Sequence, residues 1–280
     1  MTFSRIGLLV VGALAAVACQ SDDGALQPTP LPPLAFVRYI NALPDTLATT
    51  VRFIDQVEFS PTSWAAVPFR GLGTGNYQGT QAGNRSFRVF TYRFQNNEAD
   101  IPGNTTVLAE TSHNFEAGKY YTVIFSGFAR GGSAPQKQLR IIEDPVPTPG
   151  AQIALRAMHA GAGIGNVDIY LTPTATSTIS GAPAIAGLAF GASSPYTQLA
   201  PGAFSARVTA AGSTTPLISG TAPAGIAGTP AANPIGGATV PGSVITAVAF
   251  PRSVAGSPAA TSANPTVLFF IDRNPPRTAP

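Results

Sequence analysis

The chain repeats itself, and any fold it adopts must be one that two copies of a unit can share. Val37-Arg-Tyr-Ile-Asn-Ala42 is echoed by Leu155-Arg-Ala-Met-His-Ala160, and Val51-Arg-Phe-Ile54 by Val167-Asp-Ile-Tyr170. Val67-Pro-Phe69 returns as Leu188-Ala-Phe190. Gly83, Arg88 and Val89 match Gly202, Arg207 and Val208 at one common offset. Ala117-Gly-Lys-Tyr-Tyr-Thr122 matches Pro241-Gly-Ser-Val-Ile-Thr246, and Ile142-Glu-Asp144 matches Phe270-Ile-Asp272. Landmarks kept in one order mark a duplicated unit. Between the copies runs Asp144-Pro-Val-Pro-Thr-Pro149-Gly150, a stiff Pro-rich linker that limits motion between them.

Each copy reads as about seven strands separated by Gly/Pro turns, the pattern of a β-sandwich. In the first copy they are expected near 34–41, 50–56, 64–69, 85–93, 105–110, 119–128 and 136–143. In the second they fall near 152–159, 166–172, 185–190, 203–210, 215–219, 243–250 and 265–272. Val37, Tyr39 and Asn41 face one way, and Phe36, Arg38 and Ile40 the other. Tyr120 to Phe125 is apolar on both faces, which suits a central strand. No stretch beyond the N-terminal segment keeps a helical period. Thr172–Gly187, Ser219–Ala238 and Pro251–Asn264 are rich in small residues and Pro, and their composition argues for mobile loops. Hydrophobic residues at 44% are enough for packed cores, and 29 Gly with 27 Pro suit many turns.

The N-terminus places the chain in the cell. Arg5 is followed by an apolar run from Ile6 to Val17, then Ala18-Cys19-Gln20. A basic start, a short apolar run and small residues make a secretory signal, too short for a span of ~20 apolar residues. Ala16-Val17-Ala18-Cys19 resembles the lipobox of bacterial lipoproteins, which implies lipidation of Cys19 and cleavage before it. Cys19 is the one cysteine in the sequence, so no internal disulfide is expected. The residues after it (Gln20-Ser-Asp-Asp23) lack the inner-membrane retention signal, which points to the outer membrane. Their acidic cluster resembles a surface-export signal, which favours surface display. Gln27 to Pro33 reads as a polyproline spacer. The expected organisation is signal 1–18, lipidated Cys19 and tether 19–33, sandwich 34–144, linker 145–150, sandwich 151–274 and tail 275–280.

The repeated landmarks resemble domain of unknown function 4397, a family of secreted and lipid-anchored bacterial proteins. The second copy carries Met158-His159-Ala160, Val167-Asp-Ile-Tyr170, Ala189-Phe190-Gly191 and Leu199-Ala-Pro-Gly202. The first carries Asn41 in place of the His, Ala42-Leu-Pro44-Asp45 and Ala117-Gly-Lys-Tyr-Tyr-Thr-Val123. The resemblance implies all-β architecture, two tandem immunoglobulin-like antiparallel β-sandwiches, at an extracytoplasmic site. It implies no chemistry.

The residues themselves offer little chemistry. His-Glu-x-x-His, Cys-x-x-Cys, Walker and nucleophile-elbow patterns are absent from the sequence. The second copy's metal-binding types are only His159, Asp168 and Asp272, so no metal site and no cofactor is expected. His159 and Asn41 read as residues that anchor a neighbouring turn. Gly161-Ala-Gly163-Ile-Gly165 precedes a strand and not a helix, so it reads as a turn and not a phosphate loop. Glu143-Asp144, a paired carboxylate at the domain exit, reads as strand termination and capping. Arg88, Tyr92, Arg93 and Phe94 make a basic-aromatic strand. Trp64, Arg88 and Tyr92 are the candidate ligand-binding side chains, for sugar rings above all, although core packing explains Trp64 as well. A net charge of +3 spread along the chain gives no argument for nucleic acid. The expectation is a non-catalytic envelope lipoprotein, held to the membrane at Cys19, that binds a polysaccharide or an envelope protein or serves as a scaffold. The alternative is a hydrolase of envelope polysaccharide with its site between the copies.

Overall fold

The computed structural model describes residues 32–55, 63–92 and 105–277. Cys19, the signal, most of the tether, Arg93 and Phe94 lie outside the described residues. The first copy forms β1 (Leu34–Ala42), β2 (Thr49–Phe53), β3 (Ser63–Val67) and β4 (Gln78–Gln81). It continues with β5 (Gly83–Tyr92), β6 (Thr105–Phe115), β7 (Tyr120–Ser126) and β8 (Gln138–Asp144). The second copy forms β9 (Ile153–His159), β10 (Val167–Thr172), β11 (Ile185–Leu188) and β12 (Thr197–Leu199). Then come β13 (Ser205–Ala210), β14 (Pro216–Thr221), β15 (Val244–Phe250) and β16 (Thr266–Arg273). No helix forms among the described residues.

The two copies wind their strands in the same way. The first builds sheets in the orders β4-β1-β7-β8 and β3-β2-β5-β6; the second builds β12-β9-β15-β16 and β11-β10-β13-β14. Each strand of one copy thus has a counterpart at the same place in the other. The fold is all-β, with two sandwich halves of two four-stranded sheets each.

Two details differ from the sequence-based expectation. Each half has eight strands, because β4 and β12 pair antiparallel with the first strand of their half. Gln78-Gly-Thr-Gln81 and Thr197-Gln-Leu199 are short and polar, so they carry no hydrophobic alternation to announce them. Each half also contains one parallel pair, β1 with β7 and β9 with β15. Parallel strands need a crossover connection, and here the crossover runs through the outer sheet of the half.

Three buried clusters hold the layers together. Tyr39, Val51, Trp64, Phe87, Phe115 and Val123 fill the first sandwich. Ile153, Val167, Val208, Ile218 and Ile245 fill the second. The third cluster lies between the halves: Ile40, Ala42, Phe69 and Ile124 from the first meet Met158, Val248 and Phe250 from the second. Phe69 and Phe250 meet edge to face with ring centroids 6.4 Å apart. This explains why the inner strands are apolar on both faces. β9 and β15 are buried along their whole length, since each lies in a sheet covered on both sides. The chain from Leu34 onward packs as one unit.

The small-residue loops are irregular but not featureless. Ser219–Ala238 begins with the end of β14, and Ile226 bonds Ile235 in both directions across a short bridged turn. Pro251–Asn264 is strapped to the first half: Val254 N donates to Pro44 O at 2.8 Å, and the Arg70 guanidinium donates to the carbonyls of Pro251 and Asn264.

Candidate functional site

At the centre of the junction, buried arginines and aspartates cross between the halves. Arg38 on β1 reaches Asp272 on β16, with Nη1 2.6 Å from Oδ1 and both side chains fully buried. Arg156 on β9 reaches Asp144 at the end of β8, with Nη2 2.6 Å from Oδ1. That second contact is an ion pair without the alignment of a hydrogen bond. The supporting partners repeat as well. Arg38 Nε donates to Thr122 Oγ1, which donates to Asp144; Arg156 Nε donates to Thr246 Oγ1, which donates to Asp272. Tyr77 donates its hydroxyl to Asp144 at 2.6 Å and Tyr196 to Asp272 at 2.5 Å. Each tyrosine ring lies under the guanidinium of its own half, at 4.6 Å for Arg38 and 4.7 Å for Arg156.

Burial works against the charge on both arginines, but the facing aspartates outweigh it and hold both pKa values above the ordinary arginine value. Burial, with the same carboxylates, pushes the phenols of Tyr77 and Tyr196 up, so both remain donors. The reading of Asp144 as strand termination is therefore corrected. It does end β8, but it is 3% exposed and serves as the first half's contribution to a cross-half pair. Every charge in this cluster has a partner, and the cluster works as a lock.

Farther along the same strands, beyond the ends of β7, β9 and β15, three connections enclose a cleft of about 1040 Å³. One wall is the β7–β8 connection of the first half, with Phe128, Arg130 and Ser133. The other walls are the β9–β10 turn, with Ala162 and Ile164, and the strapped β15–β16 connection, with Arg252, Thr261 and Ser262. Buried or half-buried polar side chains set each connection. Asp45 accepts from the backbone N–H groups of Ala129 and Arg130, both at 3.0 Å. His159 accepts from Gly161 N–H at Nδ1, 3.2 Å away, and so carries its proton on Nε2, which lies 2.9 Å from the Gly165 carbonyl. Burial lowers the His159 pKa, against a smaller opposing effect of its backbone bonds. Arg70 and Pro44 hold the third connection.

Asn41 does for the first half what His159 does for the second. Leu43 N–H donates to Asn41 Oδ1 at 3.1 Å, two residues on, and Asn41 Nδ2 donates to Val67 O at 2.9 Å. Both residues also pair through their backbone with the turn after the third strand of their half, Asn41 with Arg70 and Gly71, His159 with Gly191 and Ala192. The turn-anchoring geometry expected for these two residues is present.

The cleft is large for a small-molecule site, a class that spans ~300–1,000 Å³. Its lining holds no Asp, Glu, His or Cys. Guanidinium, hydroxyl and apolar groups suit recognition; a general acid–base pair is not among them. Among the described residues, no three His, Cys, Asp or Glu side chains cluster as metal ligands.

The three candidate binding residues named from sequence do not meet. Trp64 is 1% exposed and enclosed between Tyr39 and Phe53, so its ring presents no face to a sugar. It packs so tightly on Gly73 that a Cβ there would lie 2.0 Å from Trp64 Cδ1. Arg88 points to the opposite face of the same sheet, half-exposed and paired with Glu110 at 2.7 Å. Tyr92 closes β5, with its side chain outside the described part. Sequence reasoning missed the cleft because its residues come from separate connections of weak pattern. The one signal available was the duplicated Arg38/Arg156 and Asp144/Asp272, charges that recur at matching places in the two copies.

No curated protein matches the chain. Residues 35–170 match the model of a family described only as a domain of unknown function, DUF4397. The match covers the first half and runs on into β9 and β10, and so takes in Asp45, Asp144, Arg156 and His159. From Ala35 to Tyr170, then, the chain is similar to the DUF4397 family, and the limits of that match cross the junction at which the cleft is built.

Proposed function

We propose that this chain is a non-catalytic lipoprotein of the cell envelope. Cys19 carries its lipid anchor in the outer membrane, with surface display favoured. Its second half is a diverged repeat of the DUF4397 unit, and the paired sandwiches bind or scaffold an envelope polymer or protein. The observation that carries this reading is the cleft itself: an ample recess between two locked halves, lined by recognition groups and no acid–base pair. Two rigid sandwiches joined by a buried interface suit a binding platform, because connections at the ends of a rigid scaffold are where recognition is usually placed. Trp64 is taken up by the core, so the cleft replaces it as the binding surface.

The test has two arms. Protease is added to intact and to permeabilised cells carrying the wild-type chain or Cys19→Ala. The reading expects the wild type in the membrane fraction and Cys19→Ala released from it; a variant that stays membrane-bound contradicts the anchor. Digestion on intact cells supports surface display, and protection until permeabilisation contradicts it. Purified protein is then incubated with cell-wall polysaccharide. Retention without turnover supports the binding role, and sustained release of reducing ends contradicts it.

A further inference from the structure

We propose that the cleft takes an acidic polysaccharide and that Arg130 and Arg252, one from each half, receive its carboxylates; this rests on the binding role above. The charge pattern of the second half singles out Arg252. Residues 151–280 hold five arginines and two aspartates and no lysine. Arg156 and Asp272 are in the lock. Asp168 accepts from Gly187 and Gly212 N–H groups, both at 2.7 Å, and Arg207 donates to Ser177 O at 2.8 Å. Arg273 donates to Pro147 O and Thr148, and Arg277 to Pro230 O. Among the described residues, Arg252 alone in this half has no protein partner, and it stands in the cleft wall.

The facing wall supplies Arg130 in the same condition. Its backbone N–H is fixed by Asp45, while its guanidinium bonds no protein group among the described residues. With no carboxylate in the lining, nothing inside the cleft neutralises these two cations. A guanidinium presents a planar fork of donors that fits a carboxylate with two parallel bonds. The rest of the lining favours a sugar over an acidic peptide. Ser133, Thr261 and Ser262 offer hydroxyls that no protein group engages among the described residues, and Phe128 offers a half-exposed ring. Hydroxyls match the alternating donors and acceptors of a saccharide, and an aromatic face suits the C–H face of a pyranose. A polymer of uronic acids brings both requirements together, a carboxylate on each ring and hydroxyls between.

The test measures binding of a short oligogalacturonide, its fully methyl-esterified form and poly-Glu by calorimetry at low and high salt. The chain used is residues 20–280, alone and as Arg130→Gln, Arg252→Gln, the double variant and Ala263→Trp, which blocks the cleft from an exposed position. Both arginines are exposed, so far-UV circular dichroism should be unchanged in all variants. The proposal expects the oligogalacturonide to bind and to weaken with salt. Each Arg→Gln should weaken it about tenfold or more, the loss of one charged hydrogen-bonding partner. The ester should bind no better than the double variant does. Equal binding of acid and ester overturns the proposal, as does an unchanged double variant. Binding of poly-Glu without the saccharide overturns it in favour of an acidic peptide. If Ala263→Trp blocks binding of acid and ester alike while the arginine variants do not, the cleft binds but without charge recognition. If Ala263→Trp leaves every affinity unchanged, the probe binds elsewhere and the cleft proposal is overturned while the binding role stands; if the wild type binds none of the three probes, the proposal is overturned as well.

Discussion

Arg38 Nη1 lies 2.6 Å from Asp272 Oδ1, across the junction of the two halves, with both side chains fully buried. The contact has a counterpart in reverse, Arg156 to Asp144 at 2.6 Å. Each half offers an arginine from its first strand and an aspartate from its last, and takes the same pair from its neighbour. That is the geometry of an isologous two-fold interface, here made within one chain. It explains the internal apolar cluster around Phe69, Met158 and Phe250, and it makes the cleft a property of the paired halves.

Removing one partner from a buried pair leaves the other charge uncompensated. Asp272→Asn keeps the shape and strands the Arg38 guanidinium, at a cost of about 3–5 kcal/mol. Asp144→Asn should behave alike, because Arg156 is equally enclosed. Glu110→Gln, which breaks the half-exposed pair with Arg88, should cost at most about 1 kcal/mol. Urea unfolding midpoints check this. Equal losses at the buried and exposed pairs would contradict the lock.

Gly191 is constrained twice. Its φ is +76°, and a Cβ would come within 2.4 Å of Arg140 Cζ from the other half. Arg70 holds the corresponding place in the first half at φ +66°, where its side chain straps the β15–β16 connection. Gly187, at φ +61°, has open space around its missing Cβ. Gly187→Ala should therefore show backbone strain alone, about 1–2 kcal/mol. Gly191→Ala should lose more, because it also displaces Arg140 from its bond to the Gly191 carbonyl. Thermal melts of the two variants make the comparison, and equal losses would remove Arg140 from the account.

His159 ties stability to pH. Burial holds its folded pKa below the ordinary 6.5 that the unfolded chain approaches. Between those two values the unfolded state binds the extra proton, so stability falls as pH drops below about 6.5 and is fully present above it. His113 is shifted in the same direction, by burial with Glu143 opposing, and contributes its own share. His159→Asn places at this turn the residue that makes the same bond in the first half. The variant should lose less stability than the wild type between about pH 7 and pH 5. Parallel curves for the two proteins would show that the imidazole is not the titrating group.

The duplication and most strands were legible because inward-facing residues such as Val37, Val123 and Val208 carry a period of two. β4 and β12 were not, since edge strands held by backbone bonds need no apolar face. The apolar run on both faces of β7 predicts a central strand. Its fuller meaning, a second layer packed behind the sheet, depends on which sheet lies there, and one copy alone does not contain that information. Asp144 reads from sequence as strand termination for the same reason: its partner, Arg156, belongs to the other copy. Trp64 is the opposite case, since a lone tryptophan suits a core and a sugar platform equally until its neighbours are known.

The central claim is that the two halves stand or fall together. Trp64 is the single tryptophan, and it reports on the first half alone. Its fluorescence, followed beside far-UV circular dichroism through one urea titration of residues 20–280, tests the claim directly. The account predicts one transition with coincident midpoints for both probes, and a joint shift of both in Asp272→Asn. A Trp64 transition separated from that of the backbone signal would mean independent halves, and would contradict the account.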